Sequence, residues 1–307
     1  MSPSPPDSDA SDLSDVSASG DHELFGGPTR FYVVRADESD PRAWMQQSRL
    51  CSLLAHHDIA HVGIMEASAP FEIVRSDQGG TFMLACLDGE GRVLSEGRWL
   101  RIRRGEACLQ PPFVKNALKI EGKGTWKFAW VRYHEDRERV PILSSNSPVS
   151  GRFEPEPLRS AIIGLHTETG AAASPSAMHH WTELIHHYVV SFAQPHMTDS
   201  RLWRVWQAVE ADLKHPWTLG ELASIACVSE EHLRRMCKKE LGRSPMKHLT
   251  YLRFQRAVRL LSETDDKIEV IAHEIGFENP FTFSNTFKQW FGWRPSEHRG
   301  RKNGPTS

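Results

Sequence analysis

The sequence has few cysteines and no long apolar segment. Its five cysteines, Cys51, Cys86, Cys108, Cys227 and Cys237, are an odd number and include no C-x-x-C pair. This usage argues against a disulfide framework and against a structural zinc site, so we interpret them as small core residues. No apolar run approaches the ~20 residues that a membrane-spanning helix needs. We therefore predict a protein that does not cross a membrane.

Basic residues are missing from the start of the chain, where no Lys or Arg precedes Arg30. Acidic residues are interspersed there with Ser and Pro, at Asp7, Asp9, Asp12, Asp15, Asp21 and Glu23. This composition predicts a disordered acidic tail over residues 1–24. A secretory signal peptide has a basic start followed by an apolar stretch, and this segment has neither. We therefore expect a cytoplasmic protein.

The small formal net charge of −2 is unevenly distributed along the 307 residues. Residues 198–303 hold 18 Lys and Arg against 14 Asp and Glu, whereas the remainder holds 19 against 25. A chain of this length has room for two or three modules. The positive charge therefore marks the C-terminal module as the one suited to bind nucleic acid.

Residues 25–165 have the pattern of a β-domain. Short alternating segments at 81–87, 98–103, 107–110 and 125–133 predict strands. Glycine and proline signals at 88–91, 96–97, 104–105 and 111–112 predict turns between them. This strand spacing favours a sandwich or jelly roll.

A small-residue linker over residues 166–176 precedes a change to helical periodicity. One apolar stripe then runs along a predicted helix that ends at Pro195, formed by Trp181, Leu184, Ile185, Tyr188, Val189 and Phe192. Such a stripe needs a partner surface. We predict that residues 166–197 comprise a linker and a dimerisation helix of a homodimer, with packing on the chain's own β-domain as the alternative.

Two stretches, residues 218–245 and 267–295, are copies of one unit. The offset between them is 49 residues in the first half of the unit and 50 in the second. The matched pairs are Leu219/Ile268, Leu222/Ile271, Ala223/Ala272, Val228/Phe277, Leu233/Phe283, Cys237/Phe287, Lys238/Lys288, Leu241/Phe291, Gly242/Gly292 and Pro245/Pro295. Each copy has the pattern of a helix-turn-helix, a short helix followed by a longer amphipathic helix that ends at glycine.

The segment between the two copies predicts a rigid connector. Residues 244–262 are rich in apolar residues and contain no Gly, and the only Pro is Pro245 at the start. One helix of this length spans roughly 28 Å, close to the ~34 Å between successive major grooves on one face of B-DNA. A single chain could therefore place two recognition helices in neighbouring grooves.

The C-terminal motifs resemble the AraC/XylS family over residues 198–299. The resemblance is carried by Leu222, Ala223, Leu233, Arg234, Arg235, Ile271, Ala272, Ile275, Gly276, Phe277, Phe283, Phe287, Lys288, Phe291, Gly292 and Pro295. It implies that the second helix of each unit contacts DNA. The predicted contact residues are Glu231, Arg234, Arg235 and Lys238 in the first unit and Phe281, Thr282, Asn285 and Lys288 in the second.

The two units differ in how they could read DNA. The family often has a basic residue where Asn285 stands, and Phe281 is apolar. We therefore expect the second unit to contribute shape, methyl and backbone contacts instead of hydrogen bonds to bases.

Arg75, the motifs at 88–91, 97–98, 104–106 and 111–112, and Trp126 with Trp130 give residues 75–132 a looser resemblance to the sugar-sensing cupin half of that family. The resemblance implies that a sugar or sugar derivative binds at Arg75 and stacks on Trp130. Strand alternation places Trp126, Phe128 and Trp130 on one face. They are predicted either as an aromatic wall for this effector or as side chains that fill a solid β-core. Phe113 follows the proline pair where such sensors have a histidine, so the ligand itself is not carried over.

The fold class predicted overall is α+β, a cupin-like β-barrel of jelly-roll type followed by an all-α domain with two helix-turn-helix units. The function predicted is a transcription regulator that binds double-stranded DNA and a small-molecule effector, and RNA polymerase if it is an activator. We expect no enzyme activity, no cofactor, no metal and no membrane partner.

Two rival classes are weighed against the regulator. A metal-dependent cupin enzyme with an accessory DNA-binding tail would need a His-x-His motif, and the β-domain has none. A DNA-repair methyltransferase would need a Pro-Cys-His or clustered cysteine motif, which is also missing. The histidine pairs at 56–57, 179–180 and 186–187, and His61, are interpreted as surface or interface residues.

Overall fold

The computed structural model describes residues 20–76, 79–135, 141–170, 174–195 and 200–300. A curled half-barrel sheet in the N-terminal region is followed by a helical C-terminal domain, which confirms the predicted fold class. Residues 1–19 of the predicted acidic tail, 171–173 of the linker and 301–303 of the predicted DNA-binding domain lie outside the described residues. The jelly-roll topology of a cupin stays a prediction.

The half-barrel contains eleven strands in the described part of the chain. They are β1 (His22–Leu24), β2 (Arg30–Arg35), β3 (Arg49–Leu50), β4 (Ile59–Ser68), β5 (Glu72–Arg75), β6 (Phe82–Ser95), β7 (Arg98–Arg103), β8 (Glu106–Gln110), β9 (Asn116–Lys119), β10 (Thr125–Tyr133) and β11 (Ser150–Arg152). The main path runs in the order β1-β5-β9-β6-β10-β4-β2-β3, with β7 and β8 paired to β6, and β11 to β8. Neighbouring strands are antiparallel except β2 and β3.

The long strand β6 replaces a predicted turn at residues 88–91. Its first half pairs with β8 and β10, and its second half pairs with β7 and β9. Gly89 has a φ of 70°, so the chain bends there without leaving the sheet. A Cβ on Gly91 would lie 2.1 Å from the Trp126 ring. The glycines therefore allow the bent strand to pack against the ring of Trp126. The turns predicted at 96–97 and 104–105 are present.

The predicted tail of residues 1–24 ends earlier than expected. His22–Leu24 form strand β1, which pairs with β5 from His22 opposite Val74 to Leu24 opposite Glu72. The acidic composition did not prevent this pairing because Glu23 binds Arg75. Tertiary contacts thus order a segment whose composition alone predicted disorder.

Two helices cover one side of the sheet, α1 (Pro155–Glu168) and α2 (Pro175–Ala193). Helix α1 was not predicted, and it extends into the segment interpreted as a linker. The stripe of α2 packs against α1 and the sheet, with Ile185 and Val189 fully buried, Phe192 8% exposed and Leu184 38% exposed. The stripe therefore has its partner within the chain. A homodimer stays a prediction, and it would need another surface.

The C-terminal domain contains seven helices among the described residues. They are α3 (Ser200–Ala211), α4 (Leu219–Ala226), α5 (Glu230–Leu241), α6 (Pro245–Glu263), α7 (Ile268–Glu274), α8 (Pro280–Phe291) and α9 (Pro295–Gly300). Helices α4 and α5 form the first unit, α7 and α8 form the second, and α6 connects them, as the repeat predicts. The capping box of Thr218 and Glu221 is also present. Each unit has its own apolar cluster.

Candidate DNA-binding surface and effector cavity

Helix α5 has one buried face and one exposed face. Ser229 caps its N-terminus by accepting a hydrogen bond from the backbone N–H of His232 at 3.2 Å. Leu233, Cys237 and Leu241 are buried in the core of the first unit. This four-residue spacing fixes the rotation of the helix. Met236 is buried as well, while Glu231, Arg234 and Arg235 point outward.

The outer face of α5 carries the residues predicted to contact DNA. The side chains of Glu231 and Arg234 are 71% and 49% exposed, and Arg235 is also exposed. Arg234 lies 3.4 Å from Glu230 and 3.5 Å from Glu231. Exposed pairs of this kind contribute little stability, so Arg234 can exchange its partners for a phosphate or a base at small cost.

Lys238 lies at the end of this face that is nearest the β-domain. Its ammonium donates to the carbonyl of Gly242 at 3.1 Å. Burial lowers the pKa of Lys238, and Arg98 of the β-domain acts in the same direction, while Glu96 opposes them. Lys238 therefore lies between the exposed face of α5 and the domain boundary.

Helix α8 presents the corresponding face of the second unit. Asn279 caps it by accepting hydrogen bonds from the backbone N–H groups of Phe281 and Thr282 at 2.8 and 3.4 Å. The ring of Phe281 is 81% exposed, which is exceptional for a phenylalanine. Thr282, Asn285 and Lys288 are exposed on the same helix. The structure thus leaves both predicted faces open to a ligand.

The β-domain contacts the same place on helices α5 and α8. The backbone N–H of Val149 donates to the carbonyl of Leu241 at 3.1 Å, and that of Lys115 donates to the carbonyl of Phe291 at 3.0 Å. Leu241 and Phe291 are matched residues of the repeat and the last residues of α5 and α8. These bonds satisfy helix C-terminal carbonyls that otherwise lack a partner. Sequence reasoning missed them because backbone donors leave no pattern.

A buried ion pair joins the domains beside these bonds. Arg243 Nε lies 2.5 Å from Glu96 Oε1, and the two side chains are 4% and 5% exposed. Arg243 also donates to the carbonyl of Ser147 at 2.7 Å and stacks on the ring of Tyr251. Nothing in the spacing of residues 96 and 243 could have predicted this pairing.

The half-barrel encloses a cavity of about 40 Å³ that brings together Arg75, Phe128 and Trp130. Trp126, the fourth predicted residue, does not line it, and its indole N–H points instead at Cys86 Sγ, 3.3 Å away. The three aromatic side chains are almost fully buried and pack in one apolar cluster. Trp126 therefore matches the alternative of a side chain that fills the β-core. Phe128 and Trp130 belong to the core and also line the cavity.

Polar residues that sequence reasoning did not assign to this cavity also line it, among them Arg42, Asn116 and His61. The interpretation of His61 as a surface or interface residue was wrong, because strand β4 places its side chain in the interior, where it is 7% exposed. The indole N–H of Trp130 donates to His61 Nδ1 at 2.9 Å. Burial lowers the pKa of His61 well below its usual value, with Arg42 acting in the same direction. His61 is therefore a neutral hydrogen-bonding partner. The sequence signal that could have identified His61 as a cavity residue was its position in the alternating pattern of strand β4.

Arg75 is held in place by strand β1. It forms an ion pair with Glu23, and it donates to the carbonyls of His22 and Val74 at 3.3 and 2.9 Å. Burial lowers the pKa of the guanidinium, and Asp21 opposes this shift. The side chain thus borders the cavity but is engaged by β1.

Two further features are absent from the described residues. These residues contain no group of three or more His, Cys, Asp or Glu side chains placed to hold a metal ion. No helix of the described part is both long enough and apolar enough to span a membrane.

The comparisons with known proteins concern mainly the C-terminal domain. A family model described as "Helix-turn-helix domain" matches residues 222–301. The HTH-type transcriptional regulator ArgR of Pseudomonas aeruginosa is 34% identical over 96 residues, which cover 31% of this chain and 29% of ArgR. The RCS-specific HTH-type transcriptional activator RclR of Escherichia coli is 28% identical over 176 residues, covering 56% of this chain and 57% of RclR. The matches therefore span less than two thirds of these relatives.

Solved structures give a corresponding result. A transcriptional regulator from Chromobacterium violaceum, described as an AraC-type DNA-binding domain-containing protein, is 31% identical and has a TM-score of 0.33. The match covers 34% of this chain and 95% of that chain. The family model and the repeat geometry identify residues 222–301 as a helix-turn-helix domain similar to that of the transcription regulators named above. The resemblance predicted from the sequence is thereby confirmed for this domain.

Proposed function

We propose that the chain is a cytoplasmic transcription regulator, and not an enzyme, that binds two adjacent major-groove segments of double-stranded DNA. The observation that supports this most directly is the pair of exposed faces on α5 and α8, joined by the 19-residue helix α6. A helix of that length sets a fixed spacing between the two faces. The relatives named above are transcription regulators, which supports the same function.

In this proposal the first unit supplies most of the base readout. Arg234 and Arg235 are exposed, and an arginine can bind guanine through two hydrogen bonds in the major groove. The second unit presents Phe281 and the small polar residues Thr282 and Asn285. It therefore contributes shape and apolar contacts more than charge.

The test is a double substitution, Arg234→Ala with Arg235→Ala, assayed on an operator selected from random DNA by the wild-type protein. Loss of a base-reading arginine costs about 1–3 kcal/mol, so we expect at least a tenfold weaker Kd and relaxed preference at one or two positions. Arg159→Ala removes an exposed arginine of α1 and serves as the control. Wild-type affinity in a folded double variant would show that α5 is not the recognition helix.

We further propose that the half-barrel binds a small polar effector, with a sugar or sugar derivative as the predicted class, between Arg75 and Trp130. A guanidinium offers several fixed donors for vicinal hydroxyls, and an indole can cover the apolar side of a sugar ring. Ligand pockets usually measure about 300–1,000 Å³, and this cavity measures about 40 Å³. Binding therefore requires β1 to move and Glu23 to release Arg75.

This proposal is tested by screening sugars with a thermal-shift assay and then by operator binding. We expect Arg75→Ala to abolish the response and Glu23→Gln to strengthen it, since the amide releases the guanidinium more easily. The apo stability of Arg75→Ala is the control for folding. A sugar that stabilises wild type and Arg75→Ala equally would place the effector elsewhere.

A further inference from the structure

The β-domain holds the two helix-turn-helix units at equivalent positions. The backbone N–H groups of Val149 and Lys115 donate to the carbonyls of Leu241 and Phe291, at 3.1 and 3.0 Å. Leu241 ends α5 and Phe291 ends α8, and the two are matched residues of the repeat. Each unit is therefore contacted at the C-terminal end of the helix that carries its exposed face.

The glycine that follows each of these helices leaves room for the β-domain. Gly242 and Gly292 have φ values of 67° and 91°, which end the helices. A Cβ on Gly242 would lie 2.4 Å from the carbonyl oxygen of Ser150, and one on Gly292 would lie 2.8 Å from Cβ of Lys115. Both approaches are closer than a side chain allows. The matched glycines thus end the helices and also allow the β-domain to pack against them.

One tight turn of the β-domain contacts both units. Glu96 and Gly97 connect β6 to β7, and we refer to these two residues as the bridging turn. Glu96 pairs with Arg243 beside the end of α5, and both side chains are almost fully buried. A Cβ on Gly97 would lie 2.4 Å from the carbonyl oxygen of Gln289 in the last turn of α8. Consecutive Cα atoms are about 3.8 Å apart, so the contacts with the two units lie side by side.

Helix α6 joins the units, but the segments at its two ends are not helical. Residues 242–244 separate it from α5, and residues 264–267 separate it from α7. Between the units themselves, Trp290 packs against both apolar clusters. Two bodies joined through such segments can still rotate relative to each other. Contacts of both bodies with one sheet close a loop and remove that freedom, which is a form of preorganisation.

We propose that the β-domain determines DNA specificity, because its bridging turn fixes the distance and rotation between the exposed faces of α5 and α8. This inference rests on the proposed function and gives the β-domain a role separate from effector binding. One inserted base pair moves a DNA segment by about 3.4 Å along the helix axis and turns it by about 34°. A braced pair of helices therefore binds one spacing of the two segments, whereas an unbraced pair adapts to several.

The test compares two glycines that have similar backbone conformations and different surroundings. Gly97 and Gly105 have φ values of 69° and 78°, and each lies in a turn between two strands. A Cβ on Gly97 meets Gln289, whereas a Cβ on Gly105 meets no heavy atom within 4 Å beyond its chain neighbours. Asparagine adopts a positive φ more readily than most residues. Gly97→Asn therefore displaces the bridging turn from α8, and Gly105→Asn controls for backbone strain.

Hydrogen exchange of the full-length protein measures this displacement. The amide of Lys115 is bonded to the end of α8, so its protection reports the contact between the β-domain and the second unit. We expect this amide to exchange at least about tenfold faster in Gly97→Asn and at the wild-type rate in Gly105→Asn. Unchanged exchange in a folded Gly97→Asn protein would show that the turn does not brace the helices, and would overturn the proposal.

Operator binding measures the effect on specificity. The operator selected by wild type is lengthened or shortened by one base pair between its two segments. We expect wild type and Gly105→Asn to bind each altered operator about tenfold more weakly than the original, and Gly97→Asn to bind all three within about threefold. A wild-type spacing preference in folded Gly97→Asn would show that α6 and Trp290 suffice to orient the units, and would overturn the proposal. Gly97→Ala with Gly105→Ala is the milder pair if the asparagine variant does not fold.

These measurements separate the failure of this inference from that of the proposed function. If wild type selects no operator from random DNA, the proposed function fails and the inference fails with it. If wild type selects an operator and tolerates every spacing equally, DNA binding stands and the role of the β-domain in spacing is overturned.

Discussion

At the scale of the residue, Phe281 presents an apolar ring where a solvent-exposed helix usually has a polar side chain. If the ring packs against a thymine methyl group, Phe281→Ala should weaken operator binding by about 1 kcal/mol, a part of the roughly 1.5–3 kcal/mol of full Phe burial. The unfolding free energy of the variant should lie within about 0.5 kcal/mol of the wild-type value, because a ring that is 81% exposed has few native contacts to lose. Operator binding and urea denaturation measure the two quantities.

Phe283, two residues further along the same helix, is the matched comparison. It is fully buried in the core of the second unit. Phe283→Ala should cost about 3–5 kcal/mol of unfolding free energy, since it leaves a cavity. A Phe281→Ala variant that is as destabilised as Phe283→Ala would show that the ring is part of the core.

At the scale of the element, helix α5 depends on its N-cap. Ser229→Ala removes the acceptor for the His232 N–H, and loss of such a cap costs about 0.5–2 kcal/mol. Ser229→Asp restores an acceptor and adds a negative charge at the positive end of the helix dipole. We expect urea denaturation to show the loss in the alanine variant and its recovery in the aspartate variant. Equal stability of all three proteins would contradict the capping role.

At the scale of the whole molecule, the Arg243–Glu96 pair is expected to hold the domains together. Arg243→Met should destabilise by about 3–5 kcal/mol, because it leaves the Glu96 carboxylate buried without its cation. Adding Glu96→Gln should recover part of the loss. Differential scanning calorimetry of the single and double variants tests this, and separate domain transitions are expected in the single variant.

The pair between Arg259 and Glu263 provides the control for this prediction. Its side chains are 62% and 60% exposed, so Arg259→Met should cost less than about 1 kcal/mol. If Arg243→Met has an equally small effect on the unfolding free energy, water reaches the domain boundary and screens the buried pair.

The protein should also lose stability on mild acidification. Burial lowers the pKa of four histidines, His61, His166, His186 and His248. In the unfolded chain each takes up a proton near pH 6.5, whereas the folded protein holds it neutral to lower pH. The stabilisation is therefore complete above about pH 6.5 and is lost as pH falls toward the folded-state pKa values.

Urea denaturation at pH 7.5 and pH 5.5 measures this effect, with a lower unfolding free energy expected at pH 5.5. Glu221 does not contribute to the difference. Hydrogen bonds from Thr218 lower its pKa to about 2, so its stabilisation, present above pH 4.5, disappears only in much stronger acid. An unfolding free energy at pH 5.5 that equals or exceeds the value at pH 7.5 would contradict the prediction that these histidines are neutral in the folded protein.

The sequence by itself determined the features whose cause is local. The two helix-turn-helix units could be predicted because four-residue apolar spacing, capping residues and terminal glycines act within one helix. The repeat also supports the prediction, since the same pattern occurs in both units. Strands β7 and β10 were predicted with the bounds that the structure has, and β8 within one residue, because alternation is also a local pattern. The exposed faces of α5 and α8 follow from this periodicity directly.

Only the tertiary structure decided which surfaces meet. The stripe of α2 predicted a partner surface, and the fold supplied it within the chain. The segment predicted as a turn at 88–91 is a bend inside β6. Gly91 makes room there for the ring of Trp126, and a local sequence pattern does not reveal that these two residues are neighbours. The pairing of Glu96 with Arg243 and the backbone bonds to Leu241 and Phe291 join residues far apart in the chain. Such contacts depend on how the domains pack, and no local pattern of residue types encodes that packing.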